Sequence, residues 1–346
     1  MTLSSTAGPV PVAAGLWHEQ HVPLYWRGLR YTARVVRPDP SQHVPPAPSP
    51  PGDTGTPAVT EPLLLLGGAL QDMYSWPRLE RRIAPWTPIV LVDLPGTGTA
   101  DDLAPDQGFD FLADAALHLL DHLALPRVNV LGTSYGAPIA YRIAQRHPDR
   151  VARLLLAGTT RRVPAPVRAL LREVADHLEA VVRGEEPPAQ DDGTGTARRE
   201  NAERLVDLLI NKGARERVEQ SDAARRLLCR QFLRTAPTEA LRNAACHRRL
   251  LGADLIPDGG IRGVPALVFT GEHDITTTPD DNRSVAATIE GAAFVLLRHA
   301  DHMAHLERDG EYAELVLRFL RDLPLDGLPF CTSPEYLPQP SAHRAG

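Results

Sequence analysis

Val128-Asn129-Val130-Leu131-Gly132-Thr133-Ser134-Tyr135-Gly136-Ala137-Pro138-Ile139-Ala140-Tyr141-Arg142-Ile143-Ala144 is the stretch on which the fold turns. Its first four residues form a short apolar run, as a buried strand requires, and the residues from Ala137 keep helical spacing to about His147. Gly-x-Ser-x-Gly alone is a weak signal, but a strand before it and a helix behind it make it a sharp strand-to-helix turn that presents a serine. Side chains at positions 132 and 136 would collide with the neighbouring helix and strand, so only glycine suits them. The hydroxyl of Ser134 is then pushed out of the sheet, toward substrate.

Working outward, the runs Leu63 to Leu66, Ile89 to Val92, Arg153 to Ala157, Ala266 to Thr270 and Phe294 to Leu297 repeat the pattern, most of them separated by helical stretches. Such runs predict buried parallel strands in an α/β fold. Leu24 to Val36 alternates as a hairpin does, so the sheet is expected to begin antiparallel. Between Thr159 and Gly263 four helical patterns, near 165–183, 198–212, 221–235 and 237–251, occur with no strand among them, which predicts an inserted helical cap. The expected division is a core of residues 1–160 and 263–323 and a cap of 161–262. The Pro-rich stretch 37–62 and the tract Gly184 to Thr196 are expected to be flexible, and the tail 324–346 to be disordered.

A chain of 346 residues with 43% apolar residues is long enough to enclose a pocket. A net charge of -6, with both signs mixed along the chain, invites neither nucleic acid nor an anionic membrane, and a small-molecule substrate is expected instead. Met1 to Gly15 lack the charged start and apolar core of a secretory signal, and no run nears about 20 apolar residues, so a cytoplasmic location is expected. The 3 cysteines, Cys229, Cys246 and Cys331, have no metal-type spacing, and neither a disulfide framework nor a zinc site is expected. The oligomeric state is not legible.

A serine hydroxyl needs a base within hydrogen-bond reach and a third group to orient that base. Val268 to Asp274 runs from a strand into a loop and sets Asp274 just past the strand's C-terminal end, where α/β sheets build their sites; Glu272 is its nearest rival. The next strand leads into a loop holding His299, His302 and His305, one of which is expected to be the base, whereas His273 has the look of a structural residue.

These blocks together resemble the α/β-hydrolase superfamily, over residues 60–160 and 263–320. The resemblance implies an α/β-hydrolase fold, a mostly parallel sheet flanked by helices with the cap inserted, and a triad in the order Ser134, Asp274, His302. Asp301-His302-Met303-Ala304-His305-Leu306-Glu307 matches the family's Gly-His followed by His-Leu-Glu, with Asp301 in the glycine's place, and this favours His302. The resemblance also implies two oxyanion-hole donors, the backbone N–H of Tyr135 and that of Ala69, the latter from Gly67-Gly68-Ala69 where relatives often have His-Gly. Asp93-Leu94-Pro95-Gly96 is expected to be architectural.

The expected activity is that of a serine hydrolase cleaving a carboxylic ester or thioester, with a lactone or a carbon–carbon bond beside a ketone as further targets, through an acyl-enzyme and without cofactor or metal. The cap suggests a mostly apolar, medium-sized substrate. Two rivals are a cyclase or acyltransferase of specialised metabolism using the same triad, and a ligand-binding homologue without activity. Tyr135 and Met303 are possible lining residues, and the cap arginines Arg225, Arg226, Arg230, Arg234, Arg248 and Arg249 are expected to form a solvated surface.

Overall fold

In the first strand, β1 (Trp17–Trp26), the polar run His18 to His21 precedes a mainly apolar second half; β2 (Leu29–Pro38) returns antiparallel to it. Arg27 and Gly28 between them have φ of 48° and 82°, the pair of positive values that a two-residue hairpin turn uses to match strand twist. A computed structural model describes residues 17–38, 61–104, 106–185, 196–234, 239–252 and 254–337. Of the Pro-rich stretch expected to be flexible, Arg37 and Pro38 belong to β2, and residues 39–60 lie outside the described residues, as do 186–195 of the cap tract.

The chain continues as β3 (Leu63–Leu66), α1 (Pro77–Ile83), β4 (Ile89–Asp93), α2 (Phe109–His122), β5 (Val128–Thr133), α3 (Ala137–Arg146) and β6 (Val151–Ala157). Four helices follow, α4 (Ala165–Arg183), α5 (Thr196–Leu209), α6 (Ser221–Arg234) and α7 (Ala240–Leu250). The alternation then resumes with β7 (Ala266–Gly271), α8 (Pro279–Ala286), β8 (Ala293–Leu297), α9 (Ala304–Glu307), α10 (Asp309–Leu320) and β9 (Glu335–Tyr336). The sheet order is β1-β2-β4-β3-β5-β6-β7-β8-β9, with β3 to β8 parallel and the antiparallel strands at the two edges.

Burial on both faces explains the unbroken apolar runs. In β3, Leu64 and Leu66 join the core beneath α2 and α3, while Leu63 and Leu65 join the opposite core beneath α10. Each fully buried leucine contributes on the order of 2 kcal/mol of transfer free energy. The strand order reverses at β3, whose neighbours are β4 on one side and β5 on the other, so the loops after β3 and β5 diverge and leave a crevice at their carboxyl ends. Helices α5 and α6 close over this edge and bury Val206, Ile210, Ala224 and Leu228 against Met303. Among the described residues no helix is long and apolar enough to cross a membrane.

Two expectations are corrected. The tail is packed as far as Leu337: Leu325, Phe330 and Cys331 are buried, Arg298 N–H donates to Phe330 O at 2.8 Å, and Thr332 N–H donates to Leu296 O at 2.9 Å. The physical reason is the edge of β8, whose unpaired backbone groups the tail covers, a role that needs no apolar periodicity. Residues 338–346 lie outside the described residues. Arg249 is not a solvated cap residue either: it is buried and its guanidinium donates to the carbonyls of Gln107, Leu103 and Ala104, which hold it on the core. Arg248 pairs with Asp176 and Glu179 of α4, and Arg225 with Asp207 of α5; Arg226 and Arg230 are exposed, and the side chain of Arg234 lies outside the described residues.

Truncating the tail's apolar anchors tests its role. Phe330→Ala is expected to lower unfolding free energy by about 2–4 kcal/mol in urea titration, whereas a loose tail would give a change near zero.

Candidate active site

Ser134 leads a single 3₁₀ turn, Ser134–Gly136, between β5 and α3, and has a φ of 49°, a left-handed value that a side-chain-bearing residue adopts at a cost. Two close approaches hold it there. A Cβ on Gly132 would lie 2.6 Å from Ala140 Cβ on α3, and one on Gly136 would overlap the carbonyl of Leu66 on β3. The turn therefore lies directly on its neighbours, and Ser134 Oγ faces the crevice at the strand ends.

His302 Nε2 is 3.2 Å from Ser134 Oγ, and His302 Nδ1 is 2.9 Å from Asp274 Oδ2. With the proton on Nδ1, the imidazole donates to Asp274 and its Nε2 lone pair receives the serine hydroxyl. Asp274 sits three residues past β7 and its two oxygens do different work. Oδ1 accepts the N–H groups of Thr276 and Thr277 at 2.8 and 2.9 Å, closing a turn, and Oδ2 accepts from His302 and from the hydroxyls of Thr270 and Thr277. The turn-forming and orienting roles of Asp274 thus belong to one carboxylate.

Burial alone would raise the Asp274 carboxyl, but the His302 charge and the hydrogen bonds from His302, Thr270 and Thr277 outweigh it, and its pKa falls below the ordinary value. For His302, burial opposes the imidazolium, yet Asp274 and then the nearby carboxyls of Asp301 and Glu307 overcome it, and its pKa is raised. The arrangement is a buried acid, an imidazole with enhanced basicity and an alcohol in line, which can draw a proton from the alcohol as it attacks.

The other residues singled out by sequence divide cleanly. Glu272 accepts the N–H of His299 at 2.7 Å and faces His273 at 3.4 Å, away from the His302 ring. His305 is buried against Trp76, ring centres 4.5 Å apart, and burial drives its pKa down to about 3, so it is neutral. Its Nε2 accepts from Gln71 Nε2 at 3.2 Å, and Gln71 Oε1 accepts the N–H of Gly68 at 2.6 Å. Gln71 and His305 therefore brace the loop after β3 that Gly67 has no side chain to brace. The Gly68 amide is thus engaged, and a Cβ on Gly68 would lie 3.6 Å from Ser134 Cβ, which places this loop beside the serine. The Tyr135 N–H lies at a helix start, where amides have no partner within the helix. The Tyr135 side chain turns into the core against Phe109, ring centres 5.0 Å apart, while Met303 lines the cavity. Asp93 ties loops together by accepting the N–H groups of Met73 and Thr99 at 2.7 and 2.8 Å.

Asp301 shows why an aspartate can stand where the family pattern has glycine. The positive φ of this loop falls on His299, at 55°, and not on residue 301. The Asp301 carboxylate is fully buried; Oδ1 accepts the N–H of His302 at 2.8 Å and Oδ2 accepts the N–H of Asn211, which lies in the segment between α5 and α6. Asn211 Nδ2 donates to His273 O at 2.9 Å. A cap residue is thereby fastened to the histidine loop. Burial raises the pKa of Asp301 to about 6 and that of Glu307, which accepts the Asp301 N–H at 2.7 Å, to about 8. Thr270, Thr277, Gln71, Asp301 and Asn211 support this site, and of these the sequence singled out Asp301 alone, as the residue in the family glycine's place.

The hydroxyl of Ser134 opens on a cavity between core and cap of about 110 Å³. Val163, Val167, Leu171, Leu209, Leu228 and Phe232 contribute to a mainly apolar wall that also includes Thr160, Thr276 and Thr277, and among its described lining residues none is Asp, Glu, Lys or Arg.

A family model described as the alpha/beta hydrolase fold matches residues 61–309. A 2-hydroxy-6-oxononadienedioate/2-hydroxy-6-oxononatrienedioate hydrolase of Burkholderia vietnamiensis is 25% identical over 280 residues, 78% of this chain and 89% of that protein. An (E)-2-((N-methylformamido)methylene)succinate hydrolase of Acinetobacter baylyi is 25% identical over 271 residues, 76% of this chain and 92% of that protein. The crystal structure of an enol-lactonase from Burkholderia xenovorans LB400 is similar with a TM-score of 0.63 and 20% identity, covering 86% of this chain and 99% of that one.

Two pH experiments follow from the electrostatics. The imidazole must be neutral to accept a proton and its pKa is raised, so the acid limb of kcat/KM is expected above about 6.5; Asp274→Asn, which removes the largest raising charge, is expected to move that limb to lower pH. The pKa of Glu307 is raised from 4.5 to about 8, so the stability its protonated form permits is complete below about 4.5 and is lost as pH rises through about 8. Glu307→Gln is expected to flatten the fall of Tm between those pH values, and an unchanged slope would show that Glu307 ionises at no cost.

Proposed function

As the chain belongs to the α/β-hydrolase family, whose model spans residues 61–309, we propose that it is a serine hydrolase acting through an acyl-enzyme on an ester, thioester or lactone of an uncharged, mostly apolar small molecule. The observation that carries this reading is the hydrogen-bonded row Ser134–His302–Asp274, with Oγ at the mouth of the cavity. Ser134 Oγ attacks the carbonyl carbon while His302 Nε2 takes its proton, and the imidazolium is stabilised by Asp274. The oxyanion receives the Tyr135 and Ala69 N–H groups. His302 then protonates the departing alcohol or thiol as the carbonyl reforms, and water, deprotonated by the same imidazole, releases the acid and returns Ser134.

The substrate class rests on the lining. The two curated relatives act, by name, on a dienedioate and a succinate derivative, each bearing two carboxylates. An unpaired carboxylate in a dry cavity is strongly disfavoured, and this wall has no described cationic side chain to pair with one. Its volume, about 110 Å³, is somewhat below the roughly 150 Å³ that holds benzene in an engineered cavity, which suits an acyl group of about that size. Cleavage of a carbon–carbon bond beside a ketone is the second reading, drawn from the 6-oxo group in the first relative's printed substrate.

A panel of p-nitrophenyl butanoate, hexanoate and hemisuccinate with an uncharged 1,5-diketone tests these points together. Neutral esters are expected to exceed the hemisuccinate in kcat/KM by about 10²-fold, and Ser134→Ala to lose at least about 10³-fold in kcat. Cleavage of the diketone alone would replace the ester reading by the second one. A fluorophosphonate that fails to label Ser134 in the folded protein would refute acyl-enzyme chemistry altogether.

A further inference from the structure

The cap side of the cavity has two polar interruptions, Gln231 on α6 and His247 on α7. The Gln231 amide donates to Leu70 O at 3.1 Å and so helps to hold the loop after β3. His247 has no such task. It is 3% exposed, it lines the cavity beside Leu250, its Nδ1 is buried without a hydrogen-bond partner, and no described residue partners its Nε2. Phe or Leu would fill that place with less loss, because a buried polar atom left unpaired forfeits the hydrogen bond it had in water.

We propose that His247 is the polar recognition point of the substrate cavity and hydrogen-bonds an uncharged oxygen of the substrate, a hydroxyl, ketone or ether, set apart from the carbonyl that Ser134 attacks. The proposal deepens the hydrolase reading and rests on it for the identity of the cavity. A neutral imidazole can donate from one nitrogen and accept at the other, which suits such oxygens. Burial drives the His247 pKa down to about 4, so the ring offers no positive charge to an anion near neutral pH. The absence of carboxylates among the described lining residues disfavours an ammonium group. On the α4–α7 side of the cavity, where Gln231 is already engaged with Leu70 O and the other lining residues are apolar, one further hydrogen bond selects, since a ligand lacking the matching oxygen leaves the imidazole unpaired again.

Binding separates this contact from turnover. Using Ser134→Ala, calorimetry would compare methyl alkanoates of four to eight carbons with counterparts carrying one hydroxyl or keto oxygen at successive positions. For at least one position the oxygenated ligand is expected to bind at least about fivefold more tightly than the plain chain. That advantage is expected to fall below about twofold in the double variant with His247→Leu and to survive in part with His247→Gln, which keeps a donor and an acceptor. Thermal unfolding of each variant checks that the cap is intact, and His247→Phe replaces His247→Leu should the latter unfold. No favoured position, or an advantage that persists in the folded apolar variant, overturns the proposal. Oxygen-selective binding that depends on His247 in a protein whose wild type cleaves nothing would refute the hydrolase reading and leave this contact standing; cleavage of plain esters with no oxygen preference would refute the contact alone.

Discussion

The start of α3 rests on β3 without an intervening side chain, and the placement of Ser134 at the strand ends follows from that contact. Because Gly136 lies against the Leu66 carbonyl and Gly132 against Ala140, the chain can reverse direction within a few residues and hold Ser134 at a φ of 49°. The strain is sustained by β5 and α3, both packed into the core on the same side of the sheet. The same contact brings the loop after β3 beside the serine. The reversal of strand order at β3 provides the crevice on which Ser134 opens.

Electrostatically the site is a buried negative centre with an unequal distribution of protons. Asp274 holds its charge because five hydrogen-bond donors converge on it, whereas Asp301 and Glu307 have fewer donors and their pKa values are pushed up to about 6 and about 8. All three lie near one imidazole, whose basicity is thereby increased. Neighbouring carboxyls are driven apart in proton affinity by their surroundings, and the one whose pKa is lowered is the one in contact with the ring.

Much of this architecture was legible because burial on both faces leaves unbroken apolar runs: six of them mark the parallel strands β3 to β8. Elements at the sheet edges were not legible to the same degree. His18 to His21 are exposed, so β1 has no alternation until Val22, and β9 is held by backbone pairing that any side chain permits. In the site, the order of Ser134, Asp274 and His302 singled out the three residues that the structure brings into hydrogen-bond contact. The supporting contacts were silent in the sequence because they span it: Gln71 meets His305 across 234 positions, and Asn211 meets Asp301 across 90. Arg249 was misread because a helix surface in the cap faces carbonyls of the core and not water.

The link from Asn211 through Asp301 to the backbone of His302 ties the segment between α5 and α6 to the histidine loop. The helices α4 to α7 that carry this link are inserted between β6 and β7. Here a transplanted cap that brought no amide to the Asn211 position would leave a buried carboxyl stranded next to the base. Recombination of specificity in this protein is therefore constrained to travel with residue 301, and a graft would have to carry glycine there or an equivalent of the donor it removes.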